Sequence, residues 1–592
     1  METTSPFYSS ARWYWLVLAW LVLNSLVHAP AAPLSTKIAL ATEAYTHATA
    51  AHTNPNHLAI NASSMQQIYL KAANAEESDH FGWVLALDGN TMLVGAHKQS
   101  SDPSGNPDGG ASHSGAVYVF VRNAGGSWSQ QAYLKASNGE ADDYFGWSVA
   151  LDDDTLVVGA PYEDSSATGG INNNTAADAG AAYVFVRTGS TWSQQAILKA
   201  SNAEAHDQFG SAVSISGNTI VVGAPVESSS AASTPGDNSA SYAGAAYIFV
   251  RTGSTWSQQA FLKASNAHNS DLFGSALTLD NDTLVVGAQQ QSSSATGGPN
   301  DSSASYAGAA YVFVRTGSTW SQQAFLKASN AEASDMFGAA LALDKDTLVV
   351  GAPQEGHAPS VGYVENTTTH SGAAYVFVRT GSTWSQQAFL KASNPGDDDN
   401  FGWSVAISAN SILIGSPQES SSFLGGQADN STHFSGAAYL FVRSGTSWSQ
   451  QAFLKASNAE EDDNFGTGVA VSGTTILVGA SSESSSATGG PGDNSVPFAG
   501  AAYVFQSGYI LSTARVGTGS GTLTLDPPGA SYNAGTVVTV TPKAAPGSHF
   551  VGWSGACSGT AICQITMSAN KSLTASFSTI NHSIYLPAIR KR

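Results

Sequence analysis

Along most of the chain, short apolar runs alternate with polar, turn-forming stretches, and the alternation repeats. One unit reads DYFGWSVALD (Asp143 to Asp152), DTLVVGAP (Asp154 to Pro161), a long Ser/Gly/Asn/Asp-rich stretch, GAAYVFVR (Gly180 to Arg187), the turn TGST, and WSQQAILKA (Trp192 to Ala200). Each run is short, rich in Val, Leu, Tyr and Phe, and bounded by turn residues, so the unit predicts four β-strands. No segment has helical spacing. The link between the first two runs reads LDGNT, LDDDT, ISGNT, LDNDT, LDKDT, SANS and VSGTT in successive copies. Asp, Asn and Gly tolerate the positive φ of tight turns, so these links predict β-hairpins. The RTGSTWS-type loops join the third and fourth runs in the same way.

The dipeptide Phe-Gly keeps the units in register. It stands at Phe81, Phe145, Phe209, Phe273, Phe337, Phe401 and Phe465, one every 64 residues. A fixed period of this length means one structural unit stacked on copies of itself. Seven units of four antiparallel strands predict an all-β fold, a seven-bladed β-propeller over residues 65–508. QQIYLKAAN (Gln66 to Asn74) precedes the first Phe-Gly and matches the fourth-run segment QQAYLKASN (Gln130 to Asn138). Only three runs follow the last Phe-Gly, ending with AAYVFQSG (Ala501 to Gly508). The N-terminal segment is therefore expected to supply the outer strand of the last blade and leave no open edge. A linear solenoid would instead need capped ends.

The pattern FGxSVALxxxTLVVGAP…GAAYVF resembles the FG-GAP repeat of integrin α-subunit propellers and their bacterial relatives. Gly-Ala-Pro stands at Gly159, Gly223 and Gly351, and drifts to GAH at Gly95, GAQ at Gly287, GSP at Gly415 and GAS at Gly479. The resemblance implies a propeller used for recognition, with an extracellular protein or glycan as partner. Many blades of this family carry a DxDxDG calcium loop between the first two strands. Here Asp152, Asp153 and Asp154 are contiguous, which leaves no room to bring six to eight oxygens round an ion. The family's calcium sites do not carry over, and the other acidic loops are the places left open to calcium.

Residues 509–578 change in composition. Their Thr/Val alternation and GWSG resemble the small β domains of the internalin B-repeat type. Both cysteines of the chain, Cys557 and Cys563, fall here. Two cysteines close in sequence in a secreted β-domain predict one disulfide. A zinc site would need more ligands than this pair and His549 supply. Residues 579–592 form a tail ending in Arg590, Lys591 and Arg592, either a final strand or a sorting signal.

The net charge of −20, with no basic stripe, argues against a nucleic-acid partner. At the N-terminus, Arg12 precedes the apolar run Trp13 to Val27, and small residues follow. Residues 1–29 thus read as a secretory signal peptide, with cleavage after Ala29. The alternative is an uncleaved anchor, the only membrane contact expected. The run contains Asn24 and falls short of the roughly 20 residues a span needs. Residues 30–64, rich in Ala, Thr, His and Asn, read as a flexible linker. These features predict a secreted or cell-surface protein.

Candidate chemistry lies in the loops. The fourth-to-first and second-to-third connections are expected on one face of the ring. An Asp stands two residues before each Phe-Gly, at Asp79, Asp143, Asp207, Asp271, Asp335, Asp399 and Asp463. One reading is structural, a carboxylate that caps backbone N–H groups in every blade. The other is an anionic rim that attracts a cation or a basic partner. The second-to-third loops are long, carry recurring elements around Asp237, Asp301 and Asp493, and differ most between copies, as recognition loops on a rigid scaffold do. Trp128, Trp192, Trp256, Trp320, Trp384 and Trp448 recur once per unit and read as packing residues. Trp83, Trp147 and Trp403 follow Phe-Gly in only three copies, near the channel mouth, and are the candidates for stacking on a ligand. His80, His206 and His268 also break the repeat, without evident partners, and read as solvated. No GxSxG, HExxH, Walker loop or CxxC is present. The reading is a binding or adhesion protein, not an enzyme. A polysaccharide-acting hydrolase or lyase and a structural surface-layer protein are the alternatives.

Overall fold

The computed structural model describes residues 60–61 and 67–580, apart from the segments 103–110, 124–125, 168–171, 232–234, 357–368, 424–428, 528–530, 533–535 and 568–570 and the single residues 299, 489, 491 and 507. The signal peptide, nearly all of the 30–64 linker and nearly all of the tail lie outside the described residues. No helix occurs among the described residues.

Seven antiparallel sheets follow one another along the chain. Blade 3 shows the pattern: Ala212–Ser216, Thr219–Ala224, Ala245–Thr252 and Thr255–Leu262 pair in that order. The first strands of successive blades lie against one another, and that of blade 7 lies against that of blade 1, so the ring is closed. Closure uses the N-terminal segment as expected. Gln67–Leu70 pairs antiparallel with the third strand of blade 7, with Gln67 opposite Phe505 and Leu70 opposite Ala502. The linker reading needs one correction. Ile60–Asn61 adds a short parallel strand to the outer edge of blade 6, opposite Ala452 and Phe453. That outer strand offers unpaired backbone groups, and a passing segment satisfies them.

The core lies between the blades. In blade 3 the second strand, TIVVGA, is buried along its whole length, because a neighbouring sheet covers each of its faces. One cluster joins Val157, Val184 and Leu198 of blade 2 to Phe209, Val222 and Tyr247 of blade 3. Phe209 is fully buried and meets Tyr247 edge to face at 5.4 Å and Phe249 at 6.0 Å. The glycine after it is required by the backbone. Gly210 has φ +100°, and a Cβ there would sit 2.4 Å from the carbonyl oxygen of Ala181. The glycine of Gly-Ala-Pro meets a different constraint. A Cβ on Gly223 would sit 2.1 Å from the carbonyl oxygen of Gly274 in the next blade. Phe-Gly and Gly-Ala therefore mark where adjacent blades approach most closely, while the third position of Gly-Ala-Pro is free to vary.

Beyond Gln506 two further sheets form. One contains Tyr509–Val516, Ser531–Tyr532, Ser548–Gly555 and Lys571–Thr579; the other contains Gly521–Asp526, Val537–Ala544 and Cys563–Thr566. Their shared core includes Val538, Val540, Trp553, Leu573 and Phe577. Cys557 and Cys563 form the expected disulfide, and Trp553 donates its indole N–H to Ala561 in the intervening loop at 2.8 Å.

Candidate functional site

The fourth-to-first and second-to-third connections share one face, and backbone hydrogen bonds lock them together. At the junction of blades 2 and 3, His206, Gln208 and Phe209 donate their N–H groups to the carbonyls of Ala177, Asp178 and Ala179 at 2.7, 3.0 and 3.0 Å. The Gln208-to-Asp178 bond recurs at every junction, as His80 to Phe498, Tyr144 to His113, Leu272 to Tyr242, Met336 to Tyr306, Asn400 to His370 and Asn464 to Phe434. Both members of each pair hold positive φ. The loops between them are ordered from within. Asp237 accepts Ser230 N–H at 2.9 Å and Ser230 Oγ at 2.6 Å, and Asp301 accepts Ser294 N–H and Oγ at 2.9 and 2.6 Å. Asp493 accepts Ser486 N–H at 3.1 Å. The recurring Ser and Asp of these loops are thus turn chemistry rather than low-complexity filler.

The seven aspartates lie in the interior. None of Asp79, Asp143, Asp207, Asp271, Asp335, Asp399 and Asp463 is more than 6 % exposed. The Oδ2 of each accepts the N–H three residues earlier, at 2.6–2.9 Å. Burial pushes their carboxyls up, to about 8 for Asp79 and Asp335, about 7 for Asp143, Asp207, Asp399 and Asp463, and about 6 for Asp271. Of the two readings, the carboxylate that caps backbone N–H groups holds, and the exposed anionic rim is corrected. A side chain this short, two residues before a buried Phe, is drawn inside with it and caps the turn. Among the described residues, no group of three or more His, Cys, Asp or Glu side chains is arranged to hold a metal ion.

A second buried polar element escaped the sequence reading. Lys263 Nζ lies 2.8 Å from Glu227 Oε2, with both side chains at most 2 % exposed. Asn202, from the preceding blade, donates to Glu227 Oε1 at 3.2 Å and accepts Tyr247 OH at 2.9 Å. Ser229 also donates to Glu227. Lys–Glu pairs at Lys71–Glu483, Lys199–Glu163, Lys391–Glu355 and Lys455–Glu419 repeat the arrangement at 2.8–3.0 Å. Blades 1 and 4 carry Gln99 and Gln291 instead, and burial pulls Lys135 and Lys327 down to about 8 there. The signal was present as LKASN and as Glu or Gln recurring every 64 residues. What a sequence does not display is that these polar positions point inward.

The once-per-unit tryptophans are structural, as expected. Trp256 is buried, donates to Gln195 of the preceding blade at 2.9 Å, and carries the Arg251 guanidinium 5.2 Å over its ring. On the face away from the long loops, clefts of about 430 and 370 Å³ open between blades, lined in part by Arg251.

The three symmetry-breaking tryptophans divide. Trp83 and Trp147 meet at 5.4 Å between ring centroids. His97 joins them at 4.7 and 5.2 Å, and Tyr162 and Tyr144 lie 6.0 and 6.3 Å from Trp147. Trp403 stands apart in blade 6, 45 % exposed. The histidines also divide. His206 is exposed and pairs with Asp178 at 2.9 Å. His80 is not solvated as expected: it stacks between His97 and Phe498 at 5.5 and 6.3 Å, and burial lowers it to about 3. Phe498 and His80 stand at opposite ends of the repeat array and meet only through ring closure.

A closed ring of seven four-stranded blades with one face of locked loops defines a seven-bladed β-propeller. Residues 65–120, 128–185, 192–249, 256–313, 320–377, 384–441 and 448–505 match the FG-GAP repeat, and residues 511–581 match the divergent InlB B-repeat domain. The chain belongs to the FG-GAP repeat family. FG-GAP repeats and an intramolecular disulfide are both typical of extracellular proteins. No curated protein matches the chain. A solved structure of a protein from Lactobacillus plantarum is similar at TM-score 0.40 and 9 % identity, covering 66 % of this chain and 88 % of that one.

Proposed function

We propose that this is a secreted or cell-surface adhesion protein that binds an extracellular protein or glycan through the long-loop face of its propeller, and that it binds without catalysing a reaction. One observation carries the reading. The left-handed position that ends each second-to-third loop has nearly the same backbone geometry in all blades, φ between 47° and 59°, yet is filled by His113, Asp178, Tyr242, Tyr306, His370, Phe434 and Phe498. Asn or Gly would hold that geometry at less strain, and a bulky residue there costs on the order of 1 kcal/mol. Tyr242 is 52 % exposed and Tyr306 39 % exposed, so packing does not repay the strain there. Side chains kept at a cost, exposed at Tyr242 and Tyr306, and varied between otherwise equal blades fit a surface shaped for a partner.

The test is binding of the purified chain to arrays of matrix proteins and glycans, with calcium and with chelator. Saturable binding is expected under both conditions, since the aspartate ring is buried and engaged with backbone. The double variant Tyr242→Asn/Tyr306→Asn is expected to melt above the wild-type temperature. A variant with no gain in stability would remove the strain argument. No saturable binding by the wild type would overturn the recognition reading.

A further inference from the structure

The repeat symmetry of the loop face breaks most strongly at blades 1 and 2. After Phe-Gly, the other blades carry Ser211, Ser275, Ala339 and Thr467, apart from the isolated Trp403. Here they carry Trp83 and Trp147. Where four blades have the proline of Gly-Ala-Pro or Gly-Ser-Pro (Pro161, Pro225, Pro353, Pro417), blade 1 has His97. The third position of that motif is free of the backbone constraint that fixes its glycine, so chemistry can enter there without harming the blade junction.

These substitutions meet in space. Trp83, Trp147, Tyr144, Tyr162 and His97 form one continuous set of ring contacts at 4.7–6.3 Å. Trp83, Trp147, Tyr144 and Tyr162 are only partly buried. His97 is 3 % exposed, and its Nδ1 has no hydrogen-bond partner within the protein. A buried polar atom left so is uncommon and costs free energy, which a ligand hydroxyl would recover on displacing the rings packed over it.

We propose that this aromatic cluster at the junction of blades 1 and 2 is a carbohydrate-binding subsite that stacks a pyranose ring on Trp83 and Trp147, with His97 as a polar contact at its base. The inference rests on the recognition reading and names its ligand class. Two other occupants fit less well. A quaternary ammonium needs a cage with space between its walls, and these rings already touch one another. Lys98 stands at the same rim, 3.4 Å from the imidazole of His80, and disfavours a cation further. An apolar peptide anchor would gain from the ring faces but leave the imidazole nitrogen unmet. A sugar presents C–H groups on one face and hydroxyls at its edge, and so matches both features.

The experiment screens the full chain against an array of neutral and acidic glycans alongside the matrix-protein array, and then titrates any hit by tryptophan fluorescence. Trp147→Ala is expected to weaken glycan binding about tenfold, the loss of one stacked ring, and Tyr162→Ala, which removes a ring packed against Trp147, is expected to weaken it as well. Trp403→Ala is expected to leave it unchanged. Should Trp147→Ala fail to fold by circular dichroism, Tyr162→Ala decides. A glycan bound equally well by wild type and by both cluster variants would overturn this site and leave the recognition reading intact. Binding to proteins alone would overturn the sugar assignment. No binding by the wild type on either array would overturn both.

Discussion

A side chain in this ring is judged by whether its role recurs in seven environments. Glu227 is such a case. With Lys263 and Asn202 bound to it, removal leaves a buried ammonium without its counter-charge. Glu227→Ala is expected to destabilise the propeller by about 3–5 kcal/mol. Glu227→Gln is expected to cost clearly less, because blades 1 and 4 already fold with Gln99 and Gln291 in that place. Urea unfolding midpoints in the order wild type, Gln, Ala check this, and equal midpoints for the two variants would contradict it. The aspartate ring sets a pH dependence. Its carboxyls are raised from an ordinary value of about 3.9 to about 6 to 8. The folded chain therefore holds more protons than the unfolded chain in that interval, and this contribution is full below it and lost as pH rises through it. His80 and His97, kept neutral by burial, act in the opposite sense, but only below the ordinary histidine value of about 6.5. Between roughly pH 6.5 and 8 the aspartates decide the sign, and the melting temperature is expected to fall. Asp207→Asn keeps an acceptor for Glu204 N–H and is expected to flatten that slope. A melting temperature that rises across this interval would refute the assignment.

For strands and turns, most of the blade was legible. The hairpins could be read because turn chemistry is local: Asp, Asn and Gly stand where the chain must reverse within two residues. The closing strand could be read because Gln66 to Asn74 repeats the outer-strand text of every other blade. Deleting residues 65–73 is expected to lower the unfolding midpoint. It should also raise backbone hydrogen exchange in Ala501–Gln506, whose partner would be gone, while blades 2 to 4 stay protected. Unchanged exchange in Ala501–Gln506 would sink the closure argument. Ile60–Asn61 was not legible. Two residues carry no periodicity, and their pairing is with a free edge that the rest of the fold has to build first.

Across the molecule, the change of composition after residue 508 coincides with a change of repeat type, between matches ending at 505 and beginning at 511. Reduction of Cys557–Cys563 is expected to lower the stability of the C-terminal β unit by about 2 kcal/mol, the loop-closure entropy of so short a loop, and to leave the propeller transition in place. Calorimetry with and without reductant checks this, and a joint shift of both transitions would show that they unfold as one. The ring, its seven blades and its closure were all legible in the order of residues, because strand propensity, turn chemistry and repeat register act along the chain. For Asp79 and its six equivalents the order of residues allowed both a backbone cap and an exposed rim, and did not decide between them. They stand within two residues of Phe-Gly, as Trp83 and Trp147 do, and only the fold turns the carboxylates inward to backbone N–H groups. Nor could the order of residues show that His80 meets Phe498 or that His97 enters the tryptophan pair. Those contacts join residues from different blades or from opposite ends of the array, and they exist only once the ring has closed and laid one blade's loop against the next.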